Sequence, residues 1–252
     1  MSLQLNLDGR VVLVTGAATG IGRAIASAMA LAGATVVVNH LGRTGLAGEV
    51  VADIAAAGGS AWAVEADVSH GDAVHAMVAS VLARHGRIDV LVNNAGILLD
   101  KPFLDTTERE WDQVIATDLK SVFLCAQAVL PGMIAQGSGC VINVASELGY
   151  LGRANFAAYT AAKAGVITLT RTLAREFAPR VRVNAIAPGP VQTPMLSLDQ
   201  MSAAAIAQES DIPMARVGRP EEIAGTAVFL ASDLASFYCG QTLSPNGGAL
   251  MA

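Results

Sequence analysis

Seven short runs rich in β-branched residues recur along this chain with helical stretches between them, and that alternation constrains the fold more than any other feature. The runs are Arg10 to Thr15 (RVVLVT), Ala34 to Asn39, Ser60 to Ala66, Ile88 to Val92, Cys140 to Val144, Val181 to Ile186 and Gln241 to Ser244. Helical periodicity fills Gly20 to Leu31, Gly45 to Ala57, Gly71 to His85, a long stretch from Thr107 to near Gln136, the segment around Tyr159, Met195 to about Gln208, and Glu221 to Ala231. Strands interleaved with helices are joined by right-handed crossovers, so the sheet is parallel and carries helices on both faces. No linker, charge run or low-complexity tract interrupts the pattern, and residues 1–252 read as a single domain.

The first strand runs into its helix through Thr15-Gly16-Ala17-Ala18-Thr19-Gly20-Ile21-Gly22. Glycines there let backbone N–H groups approach an anion, and the helix N-terminus adds the positive end of its dipole. A pyrophosphate fits that description, but tight strand-to-helix packing demands glycine equally well, and both readings stand at this point. The turn lacks the Lys-Ser/Thr ending of a triphosphate-binding loop. The expected fold class is α/β: a Rossmann-type doubly wound parallel sheet of about seven strands with helices on both faces. Ligands of such sheets bind outside the carboxyl ends of the strands. That rule singles out Asn39-His40, Asp67-Val68, Asn93-Asn94-Ala95-Gly96 and the segment after Val144.

Composition excludes several alternatives. Hydrophobic residues make up 53% and charged residues 15%, the formal net charge is -5, and no block of lysine and arginine occurs. Nucleic acid and an anionic membrane are therefore poor partners. Between Arg10 and Arg43 only Arg23 is formally charged, yet Gly16, Gly20, Gly22 and Gly33 break the stretch and no basic region precedes it, which argues against a membrane span or signal peptide. Cys125, Cys140 and Cys239 are isolated and read as reduced core cysteines of a cytoplasmic protein. His40, His70, His75 and His85 have no metal-ligand spacing, and read as solvent-facing or loop residues; no metal site is expected.

Candidate chemistry lies at Tyr159 and Lys163, four residues apart and on one helix face. A free tyrosine ionises at about 10 and a free lysine at about 10.4, so neither is a useful acid or base alone at neutral pH. A positive charge about 4 Å from the phenolate, at an effective dielectric of about 20, is worth roughly 4 kcal/mol and would bring the tyrosine toward about 7. A Tyr-x-x-x-Lys pair also arises by chance on surface helices. Ser146 follows the fifth strand, where a serine is equally an ordinary turn residue, but a single loop would bring it to the pair.

Taken together, Thr15-Gly-x-x-x-Gly-Ile-Gly22, Asp67, Asn93-Asn-Ala-Gly96, Ser146, Tyr159-x-x-x-Lys163 and Pro188-Gly189 with Thr193 resemble the short-chain dehydrogenase/reductases, from about Leu7 to Gly248. The branch it looks most like holds the 3-oxoacyl-acyl-carrier-protein reductases and the sugar and polyol dehydrogenases. The resemblance implies that Tyr159 is the general acid in carbonyl reduction and the base in alcohol oxidation. Lys163 would depress its pKa and bind the nicotinamide ribose, and Ser146 would hydrogen-bond the substrate oxygen. Gly16, Thr19, Gly20, Ile21 and Gly22 would line the pyrophosphate and adenosine side, Asp67 and Val68 the adenine, Asn94, Ala95 and Gly96 the adjoining ribose, and Pro188, Gly189, Val191 and Thr193 the nicotinamide.

Two departures from the family pattern stand out. Asp118, before Leu119-Lys120-Ser121-Val122-Phe123, replaces the usual asparagine of a water relay to the catalytic lysine; if ionised, it opposes the lowering of the tyrosine pKa. After the second strand, where NAD users present an aspartate, this chain has Asn39-His40-Leu41-Gly42-Arg43. A 2′-phosphate is not repelled there and His40 and Arg43 are candidate contacts, so NADP is favoured over NAD, although Ala18-Thr19 occupies a place where many NADP users carry a basic residue. Residues 195–214 are the candidate substrate lid. Arg153 is read either as a contact for an anionic substrate or as a surface salt bridge, and Arg153, Arg171 and Arg175 are candidates for recognising an acyl carrier. Partners are a small carbonyl or alcohol substrate and, by resemblance, further copies in a homotetramer. Ala157, Ala161, Ala164 and Gly165 would permit helix contact across subunits or within one. A non-catalytic nucleotide-binding regulator is the alternative of another class.

Overall fold

The computed structural model describes residues 5–251; the single-domain expectation for 1–252 extends beyond these at both ends. Seven strands form one sheet in the order β3-β2-β1-β4-β5-β6-β7, and every pair is parallel. They are β1 (Val11–Val14), β2 (Thr35–His40), β3 (Ser60–Glu65), β4 (Val90–Asn93), β5 (Gly139–Val144), β6 (Val181–Ile186) and β7 (Thr242–Leu243). The intervening helices are α1 (Gly20–Leu31), α2 (Thr44–Ala56), α3 (Gly71–His85), α4 (Glu108–Ile115), α5 (Ser121–Gln136), α6 (Leu148–Leu151), α7 (Ala157–Phe177), α8 (Ala203–Glu209) and α9 (Pro220–Ala231). Strand order reverses between β1 and β4, which opens a crevice at their carboxyl ends.

A sheet covered on both faces needs apolar residues at every position of its central strands, and β1 reads VVLV. Val12 and Val14 pack with Ile25 and Met29 of α1 and Ile223 and Ala227 of α9. Val11 and Leu13 point to the other layer, with Val74 and Val78 of α3, Cys125 and Val129 of α5 and Ala174 of α7. A polar chain ties the sheet to the second layer: Asn93 Nδ2 donates to Asn143 Oδ1 at 2.9 Å, and Asn143 Nδ2 donates to Thr170 Oγ1 at 2.9 Å. It links β4 and β5 to α7, the helix that carries Tyr159 and Lys163.

The structure departs from the sequence expectation in four places. Helices α4 and α5 are joined by a π turn, Ala116–Lys120, within one run of helix from Glu108 to Gln136. Hydroxyl groups bond back into the ladder there, Thr117 Oγ1 to Gln113 O at 2.9 Å and Ser121 Oγ to Thr117 O at 2.5 Å. That run is long and apolar enough to cross a membrane, but Val122, Cys125, Ala126, Val129, Leu130 and Met133 are buried in the protein core. Met195 to Gln208 is not one helix: a bridge pairs Thr193 with Leu196, a 3-10 turn covers Leu198–Gln200, and α8 starts only at Ala203 behind its Ser202 cap. Strand β2 continues through His40, which is buried rather than solvent-facing, and Cys239 is partly exposed rather than in the core. Two of the small residues of α7 meet partners within the chain: a Cβ on Gly165 would stand 2.8 Å from Leu119 Cδ2, and Gly149 of α6 abuts the Ala164 amide, whereas Ala161 is exposed.

Removing the middle of the buried amide chain leaves Asn93 Nδ2 without its acceptor, while the Thr170 hydroxyl keeps its bond to Val166 O at 2.8 Å, at a cost of about 1–3 kcal/mol. Asn143→Ala is expected to lower Tm by roughly 4–8 °C in thermal melts, and Thr170→Val by less; an Asn143→Ala protein melting with the wild type would contradict the bracing role of this chain.

Candidate active site

The glycine turn is built from both sides. Gly22 lies so close to its neighbours that a Cβ would stand 2.4 Å from Asn94 Nδ2 and from Gly16 O. Asn94 Nδ2 clamps the turn by donating to Thr15 O and Gly16 O at 2.9 and 3.1 Å, and Thr15 Oγ1 accepts the amides of Asn94 and Ala95. Asn39 Oδ1 accepts Gly16 N–H at 3.2 Å while its Nδ2 donates to Ala66 O at 3.1 Å, so this side chain braces the turn. Thr19 caps α1 with no side-chain hydrogen bond, which leaves the first amides of the helix for an anion.

The turn opens into a cleft of about 920 Å³ that runs along the carboxyl edge of the sheet. Every candidate catalytic and cofactor-binding residue named from the sequence lines it. His40, Arg43, Asp67 and Val68 lie with Gly16, Thr19, Gly20, Ile21 and Gly22; Asn94, Ala95 and Gly96 follow; and Pro188, Gly189, Val191 and Thr193 join Asp118, Ser146, Tyr159 and Lys163. His40 Nδ1 is buried without a hydrogen-bond partner, and Arg43 is exposed. Burial pushes the Asp67 carboxyl up, but bonds from Ser69 and the nearby His70 outweigh it and hold the group below its usual range. These features fit a dinucleotide: the uncapped helix amides suit an anion, and a buried imidazole nitrogen in the same cleft has no hydrogen-bond partner in the protein.

At the other end Lys163 is 4% exposed. Its Nζ donates to Val144 O at 3.2 Å and faces Asp118 Oδ2 at 3.3 Å. Asp118 is fully buried on the π turn, and its Oδ1 accepts Ile97 N–H at 2.8 Å. Gly96 lets the loop after β4 cover this pair, because a Cβ there would lie 2.9 Å from Asp118 Oδ2. Burial raises the Asp118 pKa against the pull of Lys163. Burial opposes the Lys163 charge, but Asp118 and Tyr159 more than offset it, and the ammonium lies above its ordinary value.

Tyr159 departs from expectation. Lys163 Nζ lies 5.4 Å from the ring centroid and does draw the phenol down, but burial is the larger influence, and Asp118 adds to it. In the protein without cofactor the phenol therefore stands above its ordinary pKa, not near neutrality. Desolvation of the buried phenolate outweighs the single positive charge of Lys163.

The cleft is also lined by Glu147, which the sequence did not mark, and by Arg153, which it did. Glu147, 7% exposed, lies directly after Ser146, and Ser146 Oγ donates to its Oε2 at 3.2 Å. Burial pushes the Glu147 carboxyl up to about 7, Glu209 adds to the rise, and Ser146 and Arg153 oppose it. Of the two readings of Arg153 the salt bridge is observed, half-buried rather than at the surface: it pairs with Glu209 of α8 at 2.6 Å and lies over the Phe156 ring at 4.9 Å. The only sequence signal for Glu147 was its place beside Ser146; its burial depends on α6 folding back over α7.

A parallel seven-stranded sheet with a glycine turn at one end of its cleft and Ser146, Tyr159 and Lys163 at the other defines a nucleotide-dependent oxidoreductase, and the chain belongs to the short-chain dehydrogenase/reductase family. A family model described as enoyl-(acyl carrier protein) reductase matches residues 16–249. A 3-oxoacyl-[acyl-carrier-protein] reductase from Synechocystis is 47% identical over 97% of this chain and 98% of its own. The FabG protein of that name from Thermotoga maritima is 41% identical over 98% and 100%. Among solved structures, a candidate NAD(P)-dependent gluconate 5-dehydrogenase from Beutenbergia cavernae with bound NADP at low occupancy superposes with a TM-score of 0.91 at 42% identity, covering 96% of this chain and 97% of that one. A short-chain type dehydrogenase/reductase from Mycobacterium marinum gives 0.92 at 35% identity over 98% of each.

Glu147 couples the site to stability. Its folded pKa of about 7 exceeds the ordinary 4.5, so the folded chain holds the proton more tightly. Below about pH 4.5 both states are protonated and there is no penalty. As pH rises through about 7 the penalty on the folded state grows to about 3 kcal/mol and then stays constant. The gain in Tm from Glu147→Gln is thus expected to increase from pH 5 to pH 8; a difference independent of pH would show that the carboxyl titrates normally.

Proposed function

We propose that this chain is an NADP(H)-dependent reductase of 3-oxoacyl thioesters presented on an acyl carrier protein. The carrying observation is the convergence of Ser146, Tyr159 and Lys163 on one cleft with the uncapped, glycine-lined N-terminus of α1. When bound, the nicotinamide supplies the hydride that reaches the substrate carbon. Tyr159 gives its proton to the carbonyl oxygen as that bond forms, so C=O becomes CH–OH, and it takes the proton back in alcohol oxidation. Ser146 hydrogen-bonds the same oxygen. Lys163 binds the nicotinamide ribose and holds positive charge near the phenol, while Asp118 fixes the ammonium. Asn94, Ala95 and Gly96 line the ribose, Asp67 and Val68 the adenine, and Pro188, Gly189, Val191 and Thr193 the nicotinamide. NADP is preferred because His40 and Arg43 meet the adenosine ribose where a carboxylate would repel its phosphate. Glu65, whose Oε1 accepts Gly42 N–H at 3.1 Å, keeps that preference modest.

The described residues form one domain in this reading, and 195–214 make its lid, with α8 tied down by Arg153 and Glu209. With Arg153 engaged, Arg171 and Arg175, exposed on α7, remain to meet a carrier protein. The exposed Phe103, Leu104, Phe123 and Phe237 fit burial between subunits of a homotetramer, and the free cysteines fit the cytoplasm.

The polar wall of Glu147, Arg153 and Glu209, and the gluconate dehydrogenase named above, favour a sugar or polyol dehydrogenase as second reading. A panel of acetoacetyl thioester, crotonyl thioester, gluconate and neutral polyols with NADPH and NADH separates them. Acetoacetyl thioester with NADPH is expected to give the highest kcat/KM and Tyr159→Phe to lose at least about 100-fold of it; a preference for polyols or for NADH would overturn the corresponding part. Asp118 raises the Tyr159 pKa, so Asp118→Asn is expected to retain activity and move the pH-rate profile to lower pH, whereas an unmoved profile would leave Asp118 as packing alone.

A further inference from the structure

Ser146 has one proton to give, and in this structure Glu147 receives it. Ser146 Oγ accepts Leu148 N–H at 3.1 Å and donates to Glu147 Oε2 at 3.2 Å. A substrate carbonyl oxygen therefore competes with the Glu147 carboxylate for the same hydrogen. Protonation of Glu147 reverses the contact, since a carboxylic acid donates to Ser146 Oγ and the serine O–H is released toward the cleft. We propose that Glu147 is a positioning residue whose protonation makes Ser146 available to the substrate oxygen, so that carbonyl reduction is fastest when Glu147 carries a proton. The proposal rests on the reading of Ser146 as the donor to that oxygen.

The surroundings place this exchange near neutrality. Glu147 is 7% exposed at the start of α6. It is faced by Arg153 from the loop before α7, by Glu209 from α8 and by Tyr159 from α7. Arg153 is committed to Glu209 at 2.6 Å and is a weak counter-charge for a second carboxylate. Burial, with Glu209, brings the Glu147 carboxyl to about 7. Tyr159, backed by Lys163 and Asp118, ionises above its ordinary value, so its own titration lies well to the alkaline side.

The test is kcat/KM for reduction of an acetoacetyl thioester with saturating NADPH, from about pH 6 to about pH 8. A single group titrating near 7 predicts a fall of about tenfold across that interval in the wild type. In Glu147→Gln the amide donates to Ser146 at every pH, and in Glu147→Ala the competitor is gone; in each the fall is expected to shrink below about twofold. Melting curves at both ends of the range verify that the variants are folded. A wild-type profile flat through neutrality, or a fall that persists in both variants, would overturn the proposal. Ser146→Ala separates the two levels: wild-type kcat/KM in that variant sinks the underlying role of Ser146. A loss of about 100-fold there, with the fall retained in Glu147→Gln, sinks only the role of Glu147.

Discussion

A buried ammonium, that of Lys163, is the charge around which the site has to be arranged. Left unpaired at 4% exposure it would cost several kcal/mol, so the fold supplies Asp118 and the Val144 carbonyl. Each requirement reaches into a different element. Asp118 comes from a π turn in an otherwise continuous helix, Val144 ends β5, and Gly96 lets the loop after β4 close over the pair. The amide chain Asn93–Asn143–Thr170 holds α7 against the same two strands. The Lys163 pair thus links the topological switch point of the sheet to the helix that carries Tyr159.

Most of this architecture is legible in the sequence because it depends on periodicity. Buried parallel strands must be apolar throughout, as in Val11–Val14, and the helices between them announce themselves by spacing. The cleft residues are legible because the carboxyl-edge rule converts strand ends into positions. What escaped depends on tertiary context. The π turn at Ala116–Lys120 has no signature in a helical pattern, and Glu147 becomes unusual only once α6 covers it. His40 looks like a loop residue until β2 extends past Asn39. Between Met195 and Gln208 the pattern looked helical, yet the Thr193–Leu196 bridge and the Ser202 cap confine the helix to seven residues.

The Tyr159 pKa shows why one charge is an incomplete argument. Lys163 draws the phenol down while burial and Asp118 push it up, and the second group prevails in the protein alone. Lys163 and Asp118 therefore act on the phenol in opposite directions, and an aspartate at position 118 adds a negative charge that an asparagine there would not carry. Glu147 and the Arg153–Glu209 pair line the same cleft as Ser146, Tyr159 and Lys163, so charged groups border the candidate site beyond the lysine pair.

Lys163 and Asp118 bias the Tyr159 phenol in opposite senses. The chain has three tyrosines, so the titration of Tyr159 can be isolated by subtracting the tyrosinate absorbance of Tyr159→Phe. Asp118→Asn is expected to move this transition to lower pH and Lys163→Met to move it to higher pH. A Tyr159 transition that stays where it is in both variants would contradict that opposition.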